Sequence, residues 1–146
     1  MKWQANPIKL NAQDQVVGAS ATQPISQEFS DVADVMTHGI RIDAVVSAVT
    51  VGAGVSIRLQ HAFDPSDGTT PSWSDVDATL GRVAVAAAGT VSILLHPGVA
   101  AHAAILPLRA RFRVVAVTGA ASAVTVTDLQ ALADNLTVSR MPARSV

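Results

Sequence analysis

Strict alternation of apolar and polar residues, cut by clusters of turn formers, constrains this chain more than any other feature. The stretch VSIRLQHAFDPSDGTTPSWSDV, residues 55–76, shows it best. Val55, Ile57 and Leu59 fall on one face, with His61 and Phe63 continuing that row. Ser56, Arg58 and Gln60 fall on the other. A period of two is that of a half-buried β-strand. The pattern stops in Asp64-Pro65-Ser66-Asp67-Gly68, where each residue type favours a turn. Trp73 closes the loop before Ser74-Asp75-Val76.

The same alternation recurs along the chain. Ile40, Ile42, Ala44 and Val46 alternate with Arg41, Asp43 and Val45 in a strand expected over 40–51. Gly52-Ala53-Gly54 then reads as a tight reversal, making a hairpin with the Val55 strand. Val91, Ile93 and Leu95 alternate with Ser92 and Leu94 before Pro97-Gly98 stops the run. Residues 99–104 read as a connector or one helical turn. In 105–118, Leu106, Leu108, Ala110, Phe112, Val114 and Ala116 make one face, and Pro107, Arg109, Arg111 and Arg113 the other. Gly119-Ala120-Ala121-Ser122 is a turn, and Ala123–Thr127 alternates again. A hairpin between 109–118 and 123–127 is expected.

Other segments have less pattern. Residues 1–27 are rich in Gln, Ala, Asn and Ser and hold Pro7 and Pro24. They read as an extended arm in which Val16-Val17 adds a short strand. Residues 28–38 fit either helical spacing, through Phe29, Val32, Ala33 and Met36, or the start of a strand. Ala and Val dominate 79–88, interrupted by Gly81 and Arg82. From Asp128, the residues Leu129, Leu132, Ala133 and Leu136 line a short helix or continue a strand with a bulge. Residues 139–146 read as a free end.

A chain of 146 residues fits one domain. Apolar residues make up 49% of it and aromatics only 3%, so a core must come from many small, often β-branched, side chains. That favours sheets. The expected architecture is an all-β, antiparallel β-sandwich of about eight strands, jelly-roll-like. The sandwich is expected over 28–138, after the arm and before the tail.

Net charge is −1, which gives no global pull toward nucleic acid or a membrane. Its distribution is uneven. Residues 28–77 carry eight acids against two arginines, and residues 78–146 carry six arginines against two aspartates. The two sets either pair on neighbouring strands of one subunit or attract between subunits. There is no cysteine, hence no disulfide and no thiolate metal site. No apolar run approaches the roughly 18 residues of a membrane helix. The start, MKWQANPIKLNAQDQ, has no hydrophobic stretch of a secretory signal. The expectation is a protein that folds in the cytosol where it is made.

Catalytic signatures are absent. His38, His61, His96 and His102 have no metal-organising spacing, although His61 with Asp64 or Asp75 makes a conceivable site in space. Asp64, Asp67, Asp75 and Asp77 crowd one loop, but DPSDG lacks the spacing of a calcium loop. No nucleophile elbow, phosphate loop or acid–base pair stands out. No enzyme activity, cofactor or metal is therefore expected. Arg109, Arg111 and Arg113 lie about 6.6 Å apart on one strand face, where like charges need solvent or partners. They are candidates for a subunit interface, since guanidinium suits bidentate carboxylate pairing. A nucleic-acid surface is not expected, because no aromatics interleave with them. Trp3 is a second interface candidate, as an anchor into a neighbour or as packing on its own domain. Trp73, with Asp67 in the same loop, is either a sugar-stacking residue or a plug on the end of the sandwich.

Leu59-Gln60-His61, then Asp67-Gly68, then Trp73-Ser74-Asp75-Val76 resembles the LQxSxDGxxWxDv stretch of small β-sandwich structural proteins of tailed bacteriophages, capsid decoration (cement) proteins first among them. LPLRARFRVVAVTGAASAVTVT resembles the arginine-bearing hairpin that follows it in such proteins. The match covers roughly residues 40–128. It departs from the short form of the loop by Thr69-Thr70-Pro71-Ser72, inserted between Asp67-Gly68 and Trp73. The resemblance implies no catalysis, a homo-oligomer (a trimer favoured) and contact with the major capsid protein or other virion subunits. It implies a capsid-surface location on virions assembled in the host cytoplasm. A tail or neck structural protein and a carbohydrate-binding module using Trp73 are the alternatives.

Overall fold

A computed structural model describes residues 8–30, 39–62, 67–105, 111–132 and 139–140. It is an all-β sandwich of two antiparallel sheets. The strands are β1 (Ile8–Lys9), β2 (Gln15–Val17), β3 (Thr22–Pro24), β4 (Phe29–Ser30), β5 (Ile40–Thr50), β6 (Val55–Ala62), β7 (Ser74–Asp75), β8 (Arg82–Ala84), β9 (Gly89–Leu95), β10 (Arg111–Thr118), β11 (Ala123–Leu132) and β12 (Ser139–Arg140). A helical turn, α1 (Ala100–Ala103), falls in the expected connector. The first sheet runs β1-β11-β5-β9, with β2 also on β11. The second runs β12-β4-β10-β6-β7, with β3 on β10 and β8 on β6.

The pairings describe one long antiparallel hairpin rolled up. Taking short neighbours together, β1 and β2 pair with β11, β3 and β4 with β10, β5 with β9, and β6 with β7 and β8. Rolling then sets β11 beside β5 and β10 beside β6, which closes two sheets over one core. The expected alternation places the inward residues. Ile40, Ile42, Ala44 and Val46 of β5 are buried, as are Val55, Ile57 and Leu59 of β6 and Ile93 and Leu95 of β9. Phe29 and Phe112 lie directly opposite on β4 and β10, with ring centroids 5.7 Å apart and both rings buried.

Both expected hairpins are wrong in one respect. Strands β5 and β6 are consecutive but lie in opposite sheets, and so do β10 and β11. Gly52-Ala53-Gly54 and Gly119-Ala120-Ala121-Ser122 carry the chain across the sandwich rather than back along one sheet. Alternation is the same for strands that pair edge to edge and for strands that face each other, so the sequence pattern leaves this choice open. A third crossing, Gly18-Ala21, links β2 to β3 at the same end. The crossings are bonded to one another. Ala53 N donates to Ala120 O at 3.0 Å, Gly119 N to Gly54 O at 2.8 Å, and Ser20 N to Gly119 O at 3.0 Å. The buried Ser122 hydroxyl donates to Val51 O and accepts from Gly54 N. The buried Thr118 hydroxyl donates to Gly18 O and accepts from Ala21 N. Gly52 has φ +50°, and a Cβ there would run into Ala121 O.

The arm expected over 1–27 is, from residue 8, part of the sandwich. Its strands join both sheets, and Leu10, Val17 and Ile25 are buried in the common core. The short strand expected at Val16-Val17 is β2. Phe29 lies in a strand rather than a helix, and Ser139–Arg140 pair with β4 rather than hang free. Residues 31–38 and Trp3 lie outside the described residues.

After Asp128 the strand alternative holds through Leu132. β11 carries a bulge, with register shifts around Val126 and Asp128. The extra residue switches the inward set from Val124 and Val126 to Leu129 and Ala131. Asn11 fills the gap this opens. Its side chain, buried, accepts from Leu129 N at 2.9 Å and donates to Thr127 O at 3.2 Å and Gln13 O at 3.0 Å. Asn11→Ala would leave a buried backbone N–H without its acceptor, a loss of about 1–3 kcal/mol. Urea unfolding should show that loss with an unchanged m-value.

Candidate functional site

The outer face of the second sheet holds a connected polar cluster, and register explains why. Continuous pairing puts Arg113, Gln60 and Asp75 in one row across β10, β6 and β7. The next outward row is Val115, Arg58 and Arg82, across β10, β6 and β8. Arg58 and Arg82 are thus directly opposite, an arrangement that repels unless something negative sits between. Asp75 supplies it. Its Oδ2 accepts from Arg58 Nη1 at 3.1 Å and Arg82 Nη2 at 2.7 Å, and its Oδ1 accepts from Gln60 Nε2 at 2.9 Å. Gln60 passes the chain of contacts on, its Oε1 accepting from Arg113 Nε at 3.0 Å. Arg113 then lies over the Trp73 ring, 4.3 Å from its centroid.

This geometry relocates the expected site residues. Arg111 and Arg113 share the outer face of β10, as alternation requires, but β10 is an interior strand and its outer face is covered. Arg111 is 7% exposed and Val115 fully buried. Arg111 Nη1 donates to Glu28 Oε1 at 2.7 Å. Burial pushes the Arg113 guanidinium's pKa down, while the Glu28 carboxylate opposes the shift. It stays a cation, since arginine does not lose its proton in proteins. The two arginines are therefore engaged within the chain. Asp75–Arg82 and Glu28–Arg111 each join an acid of 28–77 to an arginine of 78–146, so part of the uneven charge is neutralised internally. Arg109 lies outside the described residues.

Trp73 is half-buried. It sits one step beyond β7 on the outer face and not at the end of the sandwich, so the expected end plug is instead a cover over Arg113. Asp67 is exposed and makes a local turn, its Oδ1 accepting from Thr69 N at 3.0 Å and Thr69 Oγ1 at 2.8 Å. Asp77 does the same for Thr79 N at 2.8 Å and Leu80 N at 2.7 Å. Asp75 is committed to Arg58, Arg82 and Gln60 rather than to a site with His61, and Asp64 lies outside the described residues. Among the described residues no three His, Asp or Glu side chains gather as a metal site would need. Also among these residues, no helix is long and apolar enough to cross a membrane.

Trp73, Arg111 and Arg113 stand out in the sequence, whereas Arg58, Arg82 and Glu28 do not stand out as their companions. The signal was the row spacing. Arg58, Gln60 and Arg113 are all outward by alternation, and only strand pairing shows that β6 and β10 are neighbours. No protein-family model, curated protein or solved structure matches the chain.

Asp75→Asn leaves two facing arginines without their shared anion. The groups are about one-quarter exposed, so the cost is discounted for screening to about 1–2 kcal/mol, read by urea unfolding. Asp67 and Asp77 titrate below the ordinary carboxylate value of 3.8. For Asp67 the Thr69 backbone N–H is the main cause, and for Asp77 the Leu80 backbone N–H. A depressed folded pKa contributes stability above the unfolded value and loses it as pH falls through the folded one. Both turns should therefore keep their form above 3.8 and loosen only in more acid solution, a transition that carboxyl carbon chemical shifts would follow.

Proposed function

We propose that this chain is a structural virion protein that decorates the capsid surface of a tailed bacteriophage and stabilises the shell. One observation carries the reading. Gln60, Trp73 and Asp75, quoted for the resemblance, join Arg113 in a single connected cluster. The motif's side chains thus tie β6, β7 and Trp73, the residue just before β7, to β10. Asp67 and Thr69 close a local turn in the exposed stretch Asp67–Thr70, and a preformed turn lowers the ordering cost of docking on a lattice. The pairing of the two antiparallel sheets supports a jelly-roll-like reading of the sandwich, a fold used by capsid proteins. Binding only the assembled shell would stabilise it by mass action. The Arg113 guanidinium on one face of Trp73 speaks against a carbohydrate module built on that ring.

The test is sedimentation of the purified chain with shells assembled from the major capsid protein of the same genome. Co-sedimentation at saturable stoichiometry, with a raised shell melting temperature, is expected. Binding to tail or neck assemblies but not to shells would move the chain to the other virion reading. Binding to no virion part would remove both.

A further inference from the structure

The edges of the two sheets are unequal. At three of them the strands are two or three residues long: β1 and β2, β4 and β12, and β7 and β8. Several carry charge or proline close to the edge, as Lys9, Asp75, Arg82 and Pro24 do. Such features blunt an edge against pairing with other chains. The fourth edge is β9, Gly89-Thr90-Val91-Ser92-Ile93-Leu94-Leu95. It is seven residues long, has no charge and no proline, and pairs with β5 through seven consecutive positions without a register shift. Among the described residues no strand pairs with its other side. Exposed apolar side chains gather around it: Leu94 on the strand, Val45 opposite Thr90 on β5, and Val99 in the turn that follows, at 46%, 36% and 46% exposure.

We propose that β9 is a self-association edge, and that its occupant is the β9 of a second copy of this chain, antiparallel about a two-fold axis at Ser92. The strand is complementary to itself in that arrangement. On the inner face Val91 meets the second copy's Ile93, extending the apolar row of the core. On the outer face Thr90 meets the second copy's Leu94, and Ser92 meets Ser92. No charge on β9 meets a like charge, because β9 carries none. On the neighbouring strand β5 the charges facing β9 are already paired, Arg41 Nε with Asp43 Oδ1 at 2.9 Å. The partner adds backbone hydrogen bonds along the run and joins the two first sheets into one. A single edge buries less than the roughly 1,600 Å² of a standard interface, so the dimer dissociates on dilution. The pairing stands independently of the virion reading, and its two-fold symmetry differs from the trimer that the resemblance implies.

Sedimentation velocity of the whole chain between about 1 and about 200 µM tests it. A reversible monomer–dimer equilibrium is expected. Thr90→Lys with Leu94→Lys places lysines opposite each other twice across the axis. Both positions are exposed, so the thermal melt of the fold should be kept and the dimer weakened about tenfold or more. Thr90→Glu with Leu94→Lys pairs opposite charges in the same two places and should recover the dimer. A monomer over the whole range, as when another part of the chain itself covers β9, would overturn the proposal. So would a Lys/Lys variant that associates like the unaltered chain, a Glu/Lys variant that fails to recover, or a closed trimer.

Discussion

Three mutually bonded chain crossings at one end of the sandwich, those at 18–21, 52–54 and 119–122, hold its sheets face to face, and two buried hydroxyls hold them together. Thr118 and Ser122 satisfy carbonyls and amides of neighbouring crossings that would otherwise lose water without gaining a partner. The rest of the architecture depends on this. With so few aromatics, no single large side chain can fix the distance between the sheets, apart from the Phe29–Phe112 pair near the other end of β10. Small Val, Ile and Ala side chains make a close-packed core only when both backbones are already placed. The crossings place them, and Gly52 shows how tightly, since its neighbours leave no room for a Cβ.

From that frame the outer face of the second sheet acquires its polar cluster. Because β10 lies between β3, β4 and β6, its outward arginines emerge in the middle of a sheet and not on a rim. They find partners there: Glu28 for Arg111, Gln60 and Trp73 for Arg113. Asp75 resolves the one unfavourable pairing that the register creates, Arg58 against Arg82. The cluster joins strands β6, β7, β8 and β10 and Trp73 into one surface, the one the proposed docking role uses.

Much of the fold was legible in the sequence, and for a physical reason. Alternation reports which face of a strand is buried, and it placed Ile40, Ile42, Ile57, Leu59, Ile93, Phe112 and Val114 in the core. It does not report which strand lies beside which. The Gly-bounded turns at 52–54 and 119–122 therefore read as hairpins when they are crossings between sheets. Residues 8–27 carried too little alternation to reveal that they contribute to both sheets. Asn11 gave no signal at all, since its role depends on a bulge 116 residues away in the chain. Of the site, the outward placement of Arg111, Arg113 and Gln60 could be read, while Glu28 and Arg82 as partners needed the register.

The most direct test is the pattern of backbone proton contacts between strands, measured by nuclear Overhauser effects on the labelled chain. Close contacts are expected between Val115 and Arg58 and between Ala44 and Leu129, neighbours within one sheet. Contacts joining residues 40–50 edge to edge with 55–62, or 111–118 with 123–132, would contradict the crossings and every surface derived from them.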